Sequence, residues 1–154
     1  YAPPSDFLRA VISDEIPLSG TEFAEANFQM LVALMKAEDR ANRDWATMLV
    51  AQSEVDTGQV RGALLDAAKD QDQAVRAEAI LGLAQRDPGL ALPLLRSALA
   101  DDSALPPLFE AAALVADRSL IADLRHFSHP SDNAYIDQLV TDALSACEGG
   151  RASS

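Results

Sequence analysis

Apolar residues along the chain recur at intervals of three and four, as in Phe23, Ala26, Met30 and Leu34, or Tyr135, Ile136, Leu139, Val140 and Leu144. That is the period of a helix with one face turned to a core, whereas a half-buried strand would alternate. No segment alternates over any length, and no Asn-Gly or Asp-Gly pair offers a hairpin turn. The pattern predicts helices throughout and no sheet. Polar and proline punctuation cuts it into short helices, at about 21–37, 42–53, 57–69, 73–86, 89–100, 106–117, 119–127 and 133–147, with room for one more at about 5–13. Thr21, Asn42, Asp56 or Thr57, Asp72, Asp87 and Asp132 or Asn133 are the expected caps. Pro88, Pro106 and Pro107 fall where a first helical turn tolerates a missing N–H.

Composition agrees. Of 154 residues, 29 are Ala and 21 Leu, both strong helix formers, against 17 Val, Ile and Thr together. With 49% hydrophobic residues the chain can bury a core, and its length suits one compact domain or one short repeat array. The expected organisation is a single domain over 1–154: an irregular lead over 1–20, a helical hairpin array over 21–132, a C-terminal capping helix over 133–147 and a frayed tail over 148–154. Twelve Lys and Arg against 24 Asp and Glu give a net charge of −12, which repels a phosphate backbone and argues against nucleic acid. Apolar runs such as Ala111–Ala116 are far shorter than the roughly 18 residues a bilayer demands, so no membrane span is expected. Cys147, the one cysteine, has no internal disulfide partner, and a cytoplasmic, reducing setting is the simpler expectation. Because the chain opens on Tyr1 rather than Met, it reads as a fragment or a processed form.

A fixed period decides the architecture. Arg43-Asp-Trp-Ala-Thr-Met-Leu-Val-Ala-Gln aligns with Arg76-Ala-Glu-Ala-Ile-Leu-Gly-Leu-Ala-Gln and with Leu108-Phe-Glu-Ala-Ala-Ala-Leu-Val-Ala-Asp, at steps of 33 and 32 residues. Ala46, Ala79 and Ala111 coincide, as do Val50, Leu83 and Val115, then Ala51, Ala84 and Ala116. Leu64, Leu95 and Leu124 follow in register on the second helix of each pair. Around Asp70, Val75, Arg76, Ala79 and Leu83 the chain resembles the HEAT repeat, in particular the short bacterial form related to phycobilisome-lyase repeats, over about 39–127. The first unit departs from that pattern with Asn42 in place of the Val, and the third has Pro107-Leu108 in place of Val-Arg while keeping Asp102. The resemblance implies an all-α, α-α superhelix: a short right-handed solenoid of helical hairpins, with Asp70 and Arg76 in a polar ladder between repeats and the second helices on the concave side.

Candidate chemistry is sparse. His126 and His129, flanked by Asp123 and Asp132, have a spacing that suits metal ligands, but no third strong ligand is near, and exposed helix-end histidines are the simpler reading. Cys147 has no histidine close in sequence to serve as base, which points to a small apolar contact. No Gly-x-Ser-x-Gly elbow and no Gly-rich phosphate loop occurs. The carboxylates are dispersed at helix starts, where the macrodipole favours them. Trp45 either packs on the 21–37 helix or faces a partner. The second helices carry Arg61, Arg96 and Arg125, and the last two coincide in the repeat register. They form the candidate partner-binding ridge, unless they are merely solvated charges.

The expectation is therefore a non-enzymatic interaction or scaffold module that binds a protein partner on its second-helix face, without catalytic residues, cofactor or metal. The competing reading is a lyase or lyase subunit, since the resemblance brings bilin handling with it.

Overall fold

A computed structural model describes residues 24–100, 105–127 and 133–149. Expectations for the 1–20 lead, Thr21, Asp102, His129, Asp132 and the end of the tail lie outside these residues. Eight α-helices follow one another: α1 (Ala24–Leu34), α2 (Arg40–Gln52), α3 (Gly58–Ala67), α4 (Gln73–Arg86), α5 (Pro88–Ala100), α6 (Pro106–Val115), α7 (Ile121–Arg125) and α8 (Ala134–Glu148). A single 3-10 turn over Arg118–Leu120 leads into α7. Among the described residues there is no strand.

Local chemistry sets the helix starts. Thr57 caps α3 by accepting from the Val60 N–H, Asp72 accepts from Ala74 and Val75 at the start of α4, and Asn133 accepts from Tyr135 and Ile136 at α8. For α2 the cap is Asp39, three residues ahead of the expected Asn42, whose own N–H is the one that Asp39 receives. Asp56 does not cap, because its carboxylate is engaged by Arg61. The third pair begins with α6 ending at Val115, earlier than the expected 117, because Ala116 takes a left-handed conformation with φ 50°. That residue type rarely adopts it, and the turn it makes lets Asp117 cap the 3-10 segment through the Ser119 N–H.

The chain divides into two compact units between Ala79 and Ile80, a boundary that falls within α4. In the first unit α2 packs against α1 and α3, around Phe28, Leu31, Met35, Ala46, Val50, Val60 and Leu64. In the second, α6 packs against α5 and α8, α7 lies against α5 and α8, and the core is formed by Leu95, Leu99, Leu108, Phe109, Leu120, Leu124 and Val140. Phe109 and Phe127 add an edge-to-face pair with centroids 5.3 Å apart. The repeat register holds at the level of burial. Ala46, Ala79 and Ala111 are each fully buried, and so are Leu64, Leu95 and Leu124. Small residues sit where backbones approach, and leucines fill the volume beside them. Thr47 is the exception, a buried hydroxyl with no hydrogen-bond partner where the register elsewhere places Ile80 and Ala112.

Two apolar stripes differ from expectation. Over α1 and the turn that follows it, Phe28, Leu31 and Met35 are buried among the described side chains, while Met30 is 51% exposed. Apolar side chains occur all round this helix, so helical spacing fits either stripe and packing on α2 selects one. In α8 the buried line is Val140, Ala143 and Cys147, with Tyr135 turned outward at 57% exposure. Small Ala143 and Cys147 let α8 approach α6, where the Cys147 thiol reaches the Ala112 carbonyl at 3.6 Å. Deleting residues 133–154 strips this cover from Ala111 and Ala112. The truncated protein is expected to self-associate and to melt at lower temperature, as read by sedimentation and circular dichroism. A monomeric truncation of unchanged midpoint would show that α8 does not close the second unit.

Candidate interaction surface

Charged side chains near the interhelix turns are largely consumed by the structure itself. Arg43 Nη1 donates to the carbonyls of Ala37 (3.1 Å) and Glu38 (3.0 Å), which follow α1. Arg76, 33 residues later, repeats the arrangement: its Nη1 donates to the carbonyls of Asp70 (2.7 Å) and Gln71 (3.1 Å), which follow α3. Each arginine thus ties down carbonyl groups that a helix end leaves without intrahelical partners. Arg43 also reaches the Asp70 carboxylate, through Nε at 3.0 Å and Nη2 at 3.4 Å. Of the residues expected in a ladder, Asp70 therefore offers its carboxylate to Arg43, and Arg76 holds the backbone of the turn that carries Asp70. The sequence carried the signal for Arg43, since the 33-residue register superposes it on Arg76.

Arg40 forms a second link by donating to Asp72, a pair the sequence reading missed because neither residue stands out by spacing. The hydrogen bond from Arg40 holds the Asp72 carboxyl below its ordinary value. Asp44, beside them, is pushed up, first by burial and only then modulated by Arg40 and Asp72. The two shifts have opposite consequences. Asp72 stabilises the fold above the unfolded carboxyl value of about 3.9, and this is lost as pH falls through its depressed folded value. Ionised Asp44 works against folding at neutral pH, and protonation on acidification relieves it.

Of the candidate ridge, Arg61 lies in the first unit and is paired in bidentate fashion with Asp56, at 2.7 and 2.9 Å. Arg96 on α5 and Arg125 on α7 lie in the second unit, both exposed. Between those two helices runs a groove of about 420 Å³ lined by Leu99, Ala100, Ala122, Asp123 and His126. Arg96, one helical turn before Ala100, and Arg125, one turn after Ala122, are not part of that lining. A cavity of about 370 Å³ in the first unit is lined by residues that include Lys36, Arg43, Asp66, Lys69 and Asp70, and its charges are mixed. Trp45 is half-buried on α2.

His126 is exposed, with its ring edge-on to Phe127 at 5.5 Å. Among the described residues no three His, Cys, Asp or Glu side chains gather as metal ligands. Cys147 is buried, and burial, with a further contribution from nearby Asp117, pushes its thiol up, away from the reactive thiolate. No helix among the described residues is long and apolar enough to cross a membrane.

A family model of HEAT repeats matches residues 28–116. The chain belongs to the HEAT-repeat family. HEAT repeats form an α-α solenoid, and the all-helical architecture and the repeat register described above accord with that fold. The chain is also 25% identical over 120 residues to protein YibA of Escherichia coli K12, and equally to YibA of E. coli O157:H7, a match that covers 78% of this chain and 42% of either relative. It thus spans less than half the length of these curated relatives. The X-ray structure of E. coli YibA superposes with a TM-score of 0.65 at 21% identity, covering 92% of this chain and 55% of that one. That likeness shows a shared fold.

Two outcomes follow from the HEAT-repeat turns. Arg76→Ala is expected to cost about 1–3 kcal/mol, because it leaves the Asp70 and Gln71 carbonyls without their charged donor, while Arg96→Ala leaves the urea midpoint unchanged. Asp44→Asn is expected to be more stable than the parent near pH 7, with the difference shrinking as pH falls through the raised folded value and gone below the unfolded value of about 3.9. A difference independent of pH, in urea titrations run at several pH values, would rule out the buried carboxylate as its cause.

Proposed function

We propose that this HEAT-repeat chain is a non-enzymatic interaction module that holds a protein partner on its second-helix face. The observation that carries the reading is that Arg96 on α5 and Arg125 on α7, which coincide in the repeat register, are both exposed. A guanidinium suits such a surface because it pairs bidentately with carboxylates and stacks on aromatic rings. Arg61, on the second helix of a pair in the first unit, must exchange Asp56 for a partner. With a net charge of −12 the protein gains no long-range attraction for an acidic partner, so recognition rests on short-range contacts. A cytoplasmic setting accords with the single, buried cysteine.

Replacing Arg96 and Arg125 together with Glu tests the reading. Affinity capture from the native cell, read by mass spectrometry, is expected to lose the partner, while helicity and thermal midpoint stay nearly constant because exposed charges contribute little to folding. Undiminished capture by the double variant would move the binding face to the first helices or to the surroundings of Trp45.

A further inference from the structure

The chain's twelve cations include only two lysines, Lys36 and Lys69, and both line the cavity of about 370 Å³ in the first unit. They stand one repeat of 33 residues apart, and each follows its helix by two residues, α1 ending at Leu34 and α3 at Ala67. A cation just past a helix C-terminus suits the helix dipole, which accounts for each lysine singly. It does not account for a shared cavity. Of the other charges in the lining, Arg43 and Asp70 neutralise each other at 3.0 and 3.4 Å. Lys36 approaches Asp66 at 3.9 Å with the two side chains 74% and 68% exposed, a pair that water and salt keep weak. Lys69 has no ion pair among the described residues. The repeat copies the lysine of the Lys36–Asp66 pair but not its carboxylate: in the register that aligns Leu64 with Leu95, Asp66 falls on Ser97. The charge left open at this cavity is therefore positive, on a protein of net charge −12.

We infer that the cavity receives an acidic segment of a partner protein, with one of its carboxylates seated between Lys36 and Lys69. Asp66 shows which group such a lysine accepts, and the partner supplies the same group to Lys69. A lysine suits this seat because its ammonium is a compact charge on a flexible stem, able to meet a single oxygen without the fixed fork of a guanidinium. Met35, Ala63 and Ala67 give the lining an apolar part on which the methylenes of a glutamate rest. Lys36, Asp66, Lys69 and Gln71 are exposed, so the cavity is open along this edge, and a chain passing across it adds contacts that a free carboxylate lacks. The inference goes beyond the reading of Arg96 and Arg125 and does not depend on either residue.

Reductive methylation of the whole chain with 13C-formaldehyde tests it, because the label enters only the two lysines and the α-amino group while dimethyl-lysine keeps its charge. The lysine signals are assigned through Lys36→Arg and Lys69→Arg. The probe is a peptide of alternating Glu and Ala, and the control peptide carries Gln for every Glu. The Glu peptide is expected to shift both lysine signals and the Gln peptide neither. With unmethylated protein and a fluorescent Glu peptide, anisotropy is expected to show binding weakened about tenfold by Lys69→Gln, the loss of one charge-assisted contact, and retained in Lys69→Arg. Lys36→Gln is expected to cost at least as much, since it also releases Asp66 to repel the peptide. Neither substitution is expected to move the thermal midpoint, because both side chains are exposed. Unmoved lysine signals, equal binding of the Gln peptide, or unchanged affinity in Lys69→Gln overturns the inference. Glutarate that shifts both signals at the same concentrations as the peptide would make the cavity a site for small anions and overturn it as well. The variant with Arg96→Glu and Arg125→Glu is expected to bind the Glu peptide as the parent does, so this site and the second-helix face fail separately.

Discussion

None of these helices is long enough to stand alone. The longest described, α8, has 15 residues and α7 only 5, while isolated helices below about 12–15 residues are marginal in water. Every element therefore depends on burial against a neighbour, and that dependence explains the repeat. An alanine at the close approach of each first helix, and a leucine on each second helix, recur because only that alternation of small and large lets consecutive short helices bury a face at native packing density. Thr47 departs from the scheme: its hydroxyl is buried without a partner, a cost that apolar surroundings sealed from water raise and that the packing of the unit must offset.

The turns between hairpins meet a second constraint, set by the carbonyl groups that short helices leave unpaired at their ends. Arg43 and Arg76 answer it in the same way, each reaching back to the two carbonyls five and six residues earlier. Through Asp70 and Asp72 the turn after α3 is also joined to the start of α2. This use of charge limits what the surface can offer. Arginines tied down in the fold in this way are costly to recruit for binding. The same economy applies to Cys147, which serves packing on α6 and whose burial opposes ionisation.

Helix content, the positions of most turns and the 33-residue register were determined by the sequence, because capping chemistry and hydrophobic period act over a few residues and repeat whenever the local pattern does. The family likeness around Asp70, Val75, Arg76, Ala79 and Leu83 was legible for the same reason. What only the tertiary structure decided lies where one pattern fits two outcomes. An apolar set that surrounds α1 cannot name the buried stripe, and packing chose Phe28, Leu31 and Met35 over Met30. The face of α8 turned on how closely Ala143 and Cys147 allow it to approach α6, a distance that hydrophobic spacing does not encode. Arginine has a long reach and five donors, so whether Arg61 meets Asp56, or Arg76 meets carbonyls in place of a carboxylate, depends on which acceptors the folded turns present. The groove lined by Leu99, Ala100, Ala122, Asp123 and His126 is likewise a product of assembly, since it exists only as the space left between two helices that contact each other.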